Sequence, residues 1–221
     1  LGIGCIRFKE SLPAEKRSKT GVWAMFRSFG IIVHNRRYML YVFQLAFAQG
    51  ILFAYIASSP FIIQQHYGFS PFAFSICFAV NAVAIGVAAA LSVKFRRTEN
   101  GTLTGCVGML VFAVLQMAAL YSGCGFWTYE LLMFALLFMM GLTFTASTTL
   151  AMDCERRYAG AASALLGALC FASGGIVSPL VGLGDILIST GVTFVICAVC
   201  SLLCALWAVK RTGPKVALCR I

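Results

Sequence analysis

The residues able to do chemistry in this chain are few, and their spacing narrows what that chemistry is. Cys197-Ala-Val-Cys200, followed by Cys204, has the spacing of a metal or redox pair. A tetrahedral site needs a second pair or a nearby histidine, and none stands close in sequence. His34 and His66 lie at opposite ends of one long apolar run. No HExxH, phosphate-binding glycine loop or nucleophile elbow occurs, so an enzyme is not expected. Asn100-Gly101-Thr102 matches a glycosylation sequon, but it follows the basic stretch Lys94–Arg97 and reads as a chance match.

What remains are amides and hydroxyls set inside apolar runs. They are Gln44, Gln49, Tyr55, Ser58 and Ser59, then Asn81, then Gln116, then Thr143, Thr145, Ser147, Thr148 and Thr149. Such groups bind and orient; they do not cleave bonds. Thr143 and Ser147 share one helix face at i, i+4. Serine and threonine satisfy themselves by bonding back to their own helix. Gln49 and Asn81 do so less easily and point to a solvated cavity. Of the acids, Glu130 beside Trp127 and Tyr129 reads as a solvated carboxylate at an outer interface. Asp153 and Glu155 read as an ion cluster with Arg156 and Arg157, and Asp185 as a loop residue. No acid is expected at mid-span.

The elements that position these groups follow from composition. Of 221 residues 61% are hydrophobic and only 11% charged, with a mean hydropathy of +0.92. A soluble domain runs nearer a quarter charged, so this chain could not cover itself in water. Six apolar runs stand out: Tyr38–Ile63, Phe72–Val93, Leu103–Ser122, Glu130–Met152, Gly160–Leu183 and Gly191–Val209. Each is roughly 30–39 Å long as a helix, enough to cross a bilayer core. Helix is required because a lipid-exposed backbone must satisfy its own hydrogen bonds. The expected fold is therefore all-α and integral to the membrane, with six transmembrane helices.

The net charge of +10 gives the orientation. Eight basic residues precede the first run, and Lys94, Arg96 and Arg97 separate the second from the third. Arg156 and Arg157 separate the fourth from the fifth, and Lys210, Arg211, Lys215 and Arg220 follow the sixth. Those groups hold all 17 Lys and Arg, and the alternate loops hold none. This predicts both ends in the cytoplasm and leaves no basic excess for nucleic acid. Residues 1–37 read as the end of a preceding membrane helix (Leu1–Ile6), a polar linker and a short interfacial helix. That helix carries Trp23, Phe26, Phe29 and Val33 on one face. Residues 38–209 form the six-helix bundle and 210–221 a basic tail. The chain reads as part of a larger transporter.

The fifth run carries small residues four apart, Gly160, Ala164, Ala168 and Ala172, with Ser163 and Gly167 beside them. The plain reading is close helix packing; a sliding surface is the functional addition. Gly174, Gly175, Ser178, Pro179, Gly182 and Gly184 crowd its far end, and Pro179 is expected to kink it. The cysteines otherwise read as small apolar residues.

Three stretches carry a family resemblance. Phe53-Ala-Tyr55-Ile-Ala-Ser58-Ser59-Pro60-Phe61-Ile-Ile-Gln64, continuing through Tyr67-Gly68-Phe69-Ser70-Pro71, Phe74, Phe78 and Asn81, resembles the seventh and eighth helices of Bcr/CflA-type multidrug efflux transporters. These form part of the drug:proton antiporter branch of the major facilitator superfamily. Glu10-Ser-Leu12-Pro13-Ala-Glu15-Lys16-Arg17 resembles the segment after the sixth helix, and Ala159-Gly160-Ala-Ala-Ser163-Ala-Leu165-Leu166-Gly167 the start of the eleventh.

The resemblance implies that this chain is helices seven to twelve, the C-terminal half of a twelve-helix transporter. Its partners would be an N-terminal six-helix half, the lipid bilayer and a small-molecule substrate. It implies a midplane cavity between the halves, with Gln49, Tyr55, Ser59, Asn81, Thr143 and Ser147 as cavity candidates. Gly175, Ser178, Pro179 and Gly182 become a conformational hinge, with Ser178 where the antiporter motif has glycine. Lys94–Gly101 matches the basic loop motif of the first half in degenerate form. It implies no cofactor beyond the proton as coupling ion, whose carrying Asp belongs to the other half. The expected function is proton-coupled efflux of drugs or small amphipathic metabolites across the inner membrane by alternating access. The alternative is a self-contained six-helix channel or structural subunit, for which no charge ring or filter sequence is visible.

Overall fold

A computed structural model of the chain describes residues 29–95 and 97–210. Six long helices dominate: α1 (Arg36–Pro60), α2 (Pro71–Ser92), α3 (Thr98–Tyr121), α4 (Phe126–Cys154), α5 (Ala159–Val181) and α6 (Ile186–Lys210). All six are long and apolar enough to cross a membrane, α1 together with the segment that follows it. The segment Leu1–Ile6, the polar linker, Trp23, Phe26 and the tail beyond Lys210 lie outside the described residues. Residues 29–34 are helical. There Ile32, not Val33, packs into the bundle beside Tyr38 and Tyr41; Val33 is half exposed.

The helix ends are set by local chemistry. Asn35 caps α1, its Oδ1 accepting from the N–H groups of Arg37 and Tyr38, while its amide donates to Glu155. Ser70 caps α2, with Pro71 in the first turn. Asp185 caps α6 through Leu187 and Ile188. Of the expected ion cluster only the Arg156–Asp153 pair forms: Glu155 accepts from Asn35 and Arg157 lies over the Tyr158 ring, while Arg37 pairs with Glu99.

Pro60 has no N–H to give back to the preceding turn, and the chain widens there into a π-helical segment, Phe61–His66. That turn delivers Tyr67 across to the next loop, where its hydroxyl donates to the Cys124 carbonyl at 2.9 Å. Burial, reinforced by Cys124, pushes the Tyr67 phenol well above its ordinary value, so this donor persists into alkaline solution. Pro179 stands in the last turn of α5, which runs unbroken to Val181. The lost hydrogen bond therefore falls at the helix end rather than kinking its middle.

Helix α1 lies at the centre and packs against α4, α5 and α6; α3 packs against α4 and α6. Helix α2 rests mainly on α4 along a narrow seam of Asn81, Ala84, Ala88 and Ser92. Glycine sets two of the crossings. A Cβ on Gly141 would lie 2.6 Å from the Ile85 carbonyl oxygen, and one on Gly105 would lie 2.8 Å from the Thr143 nitrogen. The small-residue row of α5 behaves otherwise. Gly160, Ala164, Ala168 and Ala172 are exposed, whereas α5 buries Ala162, Leu166, Cys170, Gly174 and Val177 against α1. Close packing within this bundle is therefore not what the row serves.

Candidate functional site

Three helices bring their polar side chains to one point. From α2, the Asn81 amide donates one hydrogen to the Tyr55 hydroxyl of α1 at 3.1 Å and another to the Glu130 Oε1 of α4 at 2.8 Å. Tyr55 lies nearly parallel to Phe78, with ring centroids 5.8 Å apart. The acceptor on either side fixes the amide orientation, since an ionised carboxylate accepts only. Three atoms at this junction are buried without a partner: Asn81 Oδ1, Glu130 Oε2 and the Tyr129 hydroxyl; Ser59 stands beside the Tyr55 hydroxyl.

Glu130 is the correction here. It was expected as a solvated carboxylate at an interface. The helix begins at Phe126, so Glu130 stands one turn inside it, with Oε1 bonded to Asn81 and Oε2 buried rather than solvated. Its neighbour Tyr129 is fully buried, and of that trio only Trp127 faces outward. The sequence signal was Gly125, whose weak helix preference marks the start just before Phe126.

A second polar group lies inside the bundle. The Gln44 amide donates to Ser201 at 3.2 Å and, at 3.5 Å each, to Thr143 and the Cys106 sulfur. Ser201 donates to the Gln44 carbonyl, Thr143 to the Thr102 carbonyl and Ser147 to the Thr102 hydroxyl. All these side chains are fully buried. Thr143 and Ser147 do share a face, but it faces α3, because the Gly105 contact draws α3 and α4 together there. They stand within this half and not on an open wall. Thr145, Thr148 and Thr149 bond back to their own helix as expected.

Gln49 is half buried and joins neither group. Gly175, Pro179 and Gly182 are exposed on α5, with Ser178 half buried. Gly174, not Gly175, meets a neighbour, the Phe53 ring of α1. A separate cavity of about 620 Å³ opens at the charge-poor end, lined by Phe61, Gln65, His66 and Asp185 among others, and shares no residue with the Asn81 junction.

The Gln44 group supports a stability prediction. Gln44 Oε1 is buried without a partner, and both Ser201 and Thr143 keep backbone acceptors if the amide is removed. Gln44→Met should therefore change unfolding free energy by less than about 1 kcal/mol in either direction. A loss beyond that, measured by detergent-titrated unfolding, would make the amide a structural keystone.

A bundle of six apolar helices holding buried polar clusters is also what kinship describes. The Major Facilitator Superfamily profile matches residues 2–179. The chain belongs to the major facilitator superfamily. It is 35% identical over 184 residues to YdgK of Bacillus subtilis (strain 168), described as an uncharacterized MFS-type transporter. The match takes in 81% of this chain and 46% of that relative, so the chain spans about half the length of the protein it matches. Membership makes this a multi-pass membrane protein, points to a transporter rather than an enzyme, and makes its six helices one half of the superfamily fold.

Proposed function

We propose that this superfamily chain is the C-terminal half of a Bcr/CflA-type exporter that moves drugs or small amphipathic metabolites out of the cell in exchange for protons. One observation carries the reading. The half leaves a whole side of α5 uncovered: Gly160, Ala164, Ala168 and Ala172, then Gly175, Pro179 and Gly182. Small residues cost little to leave bare and allow close approach, so that side suits a second helical half moving against it. Gly175, Ser178, Pro179 and Gly182 would serve as the hinge. Most of α2 is uncovered too, with Asn81 at the edge of its buried seam. Substrate would pass between the halves near Gln49; Tyr55, Ser59 and Asn81 are buried within this half, as Thr143 and Ser147 are, and would reach it only as the helices move.

The arrangement suits amphipathic cargo, because apolar walls tolerate many shapes and sparse amides and phenols orient them. The proton gradient would contribute about 1.4 kcal/mol per pH unit. The membrane potential adds about 2.3 kcal/mol per charge for each 100 mV. Lys94, Arg97, Arg156, Arg157 and Lys210 follow the helix ends that share a side with Arg36, which favours both ends of the chain in the cytoplasm and insertion in the inner membrane.

The test is export of ethidium by inverted vesicles containing the full-length protein, with and without a pH gradient. Gradient-dependent export supports the reading; none with ethidium or a panel of other amphipathic compounds defeats it. The half expressed alone should transport nothing, and co-expression with the remaining half should restore export. Transport by residues 1–221 alone would favour a self-contained six-helix channel.

A further inference from the structure

We propose that the Glu130 carboxyl is a proton-binding site of this half, and that its charge state sets how strongly Asn81 holds α2 to α4. The proposal adds a site to the proton-coupled reading and takes the coupling itself from it. Two acceptors at the junction have no donor within hydrogen-bonding distance. Asn81 spends both amide hydrogens, one on Tyr55 and one on Glu130 Oε1. Glu130 Oε2 and Asn81 Oδ1 are then acceptors with no donor, and both are closed off from any solvent-sized group. A ligand cannot reach Oε2, but a proton can.

The groups facing the carboxyl are Tyr55 from α1, Cys77 from α2 and Tyr129 from its own helix. None is basic, and among the described residues no Lys, Arg or His forms an ion pair with Glu130. The ionised form is thus held by one amide, in surroundings where an unpaired charge is costly. Adding a proton to the carboxylate gives the neutral acid; no bond breaks and no electron moves. The charge that draws the Asn81 amide toward α4 is then gone, and Oε2 becomes a hydroxyl donor.

The consequence for α2 follows from its narrow seam. Of the residues it buries, Asn81 forms hydrogen bonds to other helices, while Ser92 bonds back to Ala89 and Ala84 and Ala88 contribute only contact. The polar attachment of α2 therefore passes through a group whose strength depends on one proton. Loosening α2 would change a wall of the cavity proposed between the halves.

The experiment needs no substrate. Infrared difference spectra of the full-length protein in liposomes are recorded across pH for the wild type, Glu130→Gln and Glu130→Asp. The expected result is a protonated-carboxyl C=O band that grows on acidification in the wild type, is missing in Glu130→Gln and is displaced in Glu130→Asp. Persistence of the same band in Glu130→Gln overturns the proposal. So does the absence of any titrating band that Glu130→Asp displaces, a comparison that survives if the Gln variant fails to fold.

A second arm reads coupling as ethidium accumulation under a gradient of about one pH unit. Loss of one coupled proton lowers the accumulation ratio about tenfold in Glu130→Gln, while exchange at equal pH persists. Unchanged accumulation in that variant overturns the proposal and leaves the proton-coupled reading standing. If the wild type shows no gradient dependence with any compound, that reading fails, and the infrared arm still decides whether Glu130 binds the proton.

Discussion

Replacing Asn81 with leucine should destabilise the bundle by about 3 kcal/mol, the largest loss expected from removing a single hydrogen-bonding side chain here. Hydrogen bonds between membrane helices average only about 0.6 kcal/mol, because the separated helices find other partners. Asn81 differs in one respect: one of its two acceptors is a carboxylate whose other oxygen is buried. A bond to a charged group contributes about 1.5–3 kcal/mol, and the Tyr55 bond adds about 1. Leucine also leaves Glu130 with no donor at all, since Oε2 already lacks one. The charge then either remains unmatched or is lost to protonation.

A double-mutant cycle measures the charge contribution, with unfolding followed in detergent near pH 8. In a Glu130→Gln background the cost of Asn81→Leu should fall by half or more, because the charge that made the amide valuable is gone. Equal costs in both backgrounds would mean that Asn81 contributes through shape alone.

The second large effect is steric. Gly105→Ala and Gly141→Ala should each cost about 1–3 kcal/mol, because the new methyl meets backbone atoms, which cannot rotate away. At Gly141 it overlaps the Ile85 carbonyl oxygen, and at Gly105 the Thr143 nitrogen and the Met139 carbonyl oxygen. Relief requires the helix pairs α2–α4 and α3–α4 to separate, which would also lengthen the Asn81–Glu130 bond on the first pair. Gly160→Ala is the control. Nothing lies within 4 Å of its added carbon, so the stability of this half should not change. If Gly160→Ala instead impairs the full-length protein alone, the cause lies in contacts the other half supplies. Parallel thermal unfolding of the three variants separates these outcomes; equal midpoints for all three would refute the close-contact account.

Much of the architecture is legible in the sequence alone. The six runs were found to within a few residues, because lipid permits only helix and sets its length. Gln49 and Asn81 stand out as polar groups hard to satisfy on their own helix; the structure joins Asn81 to Tyr55 and leaves Gln49 apart. Glu130 stands near the outer end of its helix, but hydropathy does not record that Asn81 covers it. Thr143 and Ser147 were paired correctly but turned the wrong way. Their helix is apolar nearly all round, so periodicity does not say which face meets a neighbour.

The order of charges and the lengths of apolar segments thus determined the number of helices, their alternation and which ends share a side. Those properties depend on one chain against one solvent. The tertiary structure decided the rotation of each helix about its own axis, and with it the meeting of Tyr55, Asn81 and Glu130, the enclosure of the Gln44 group and the bare flank of α5. Rotation is set by close contacts such as Gly141 on Ile85, between residues far apart in sequence. In a helix that is equally greasy on every side, no local pattern records them.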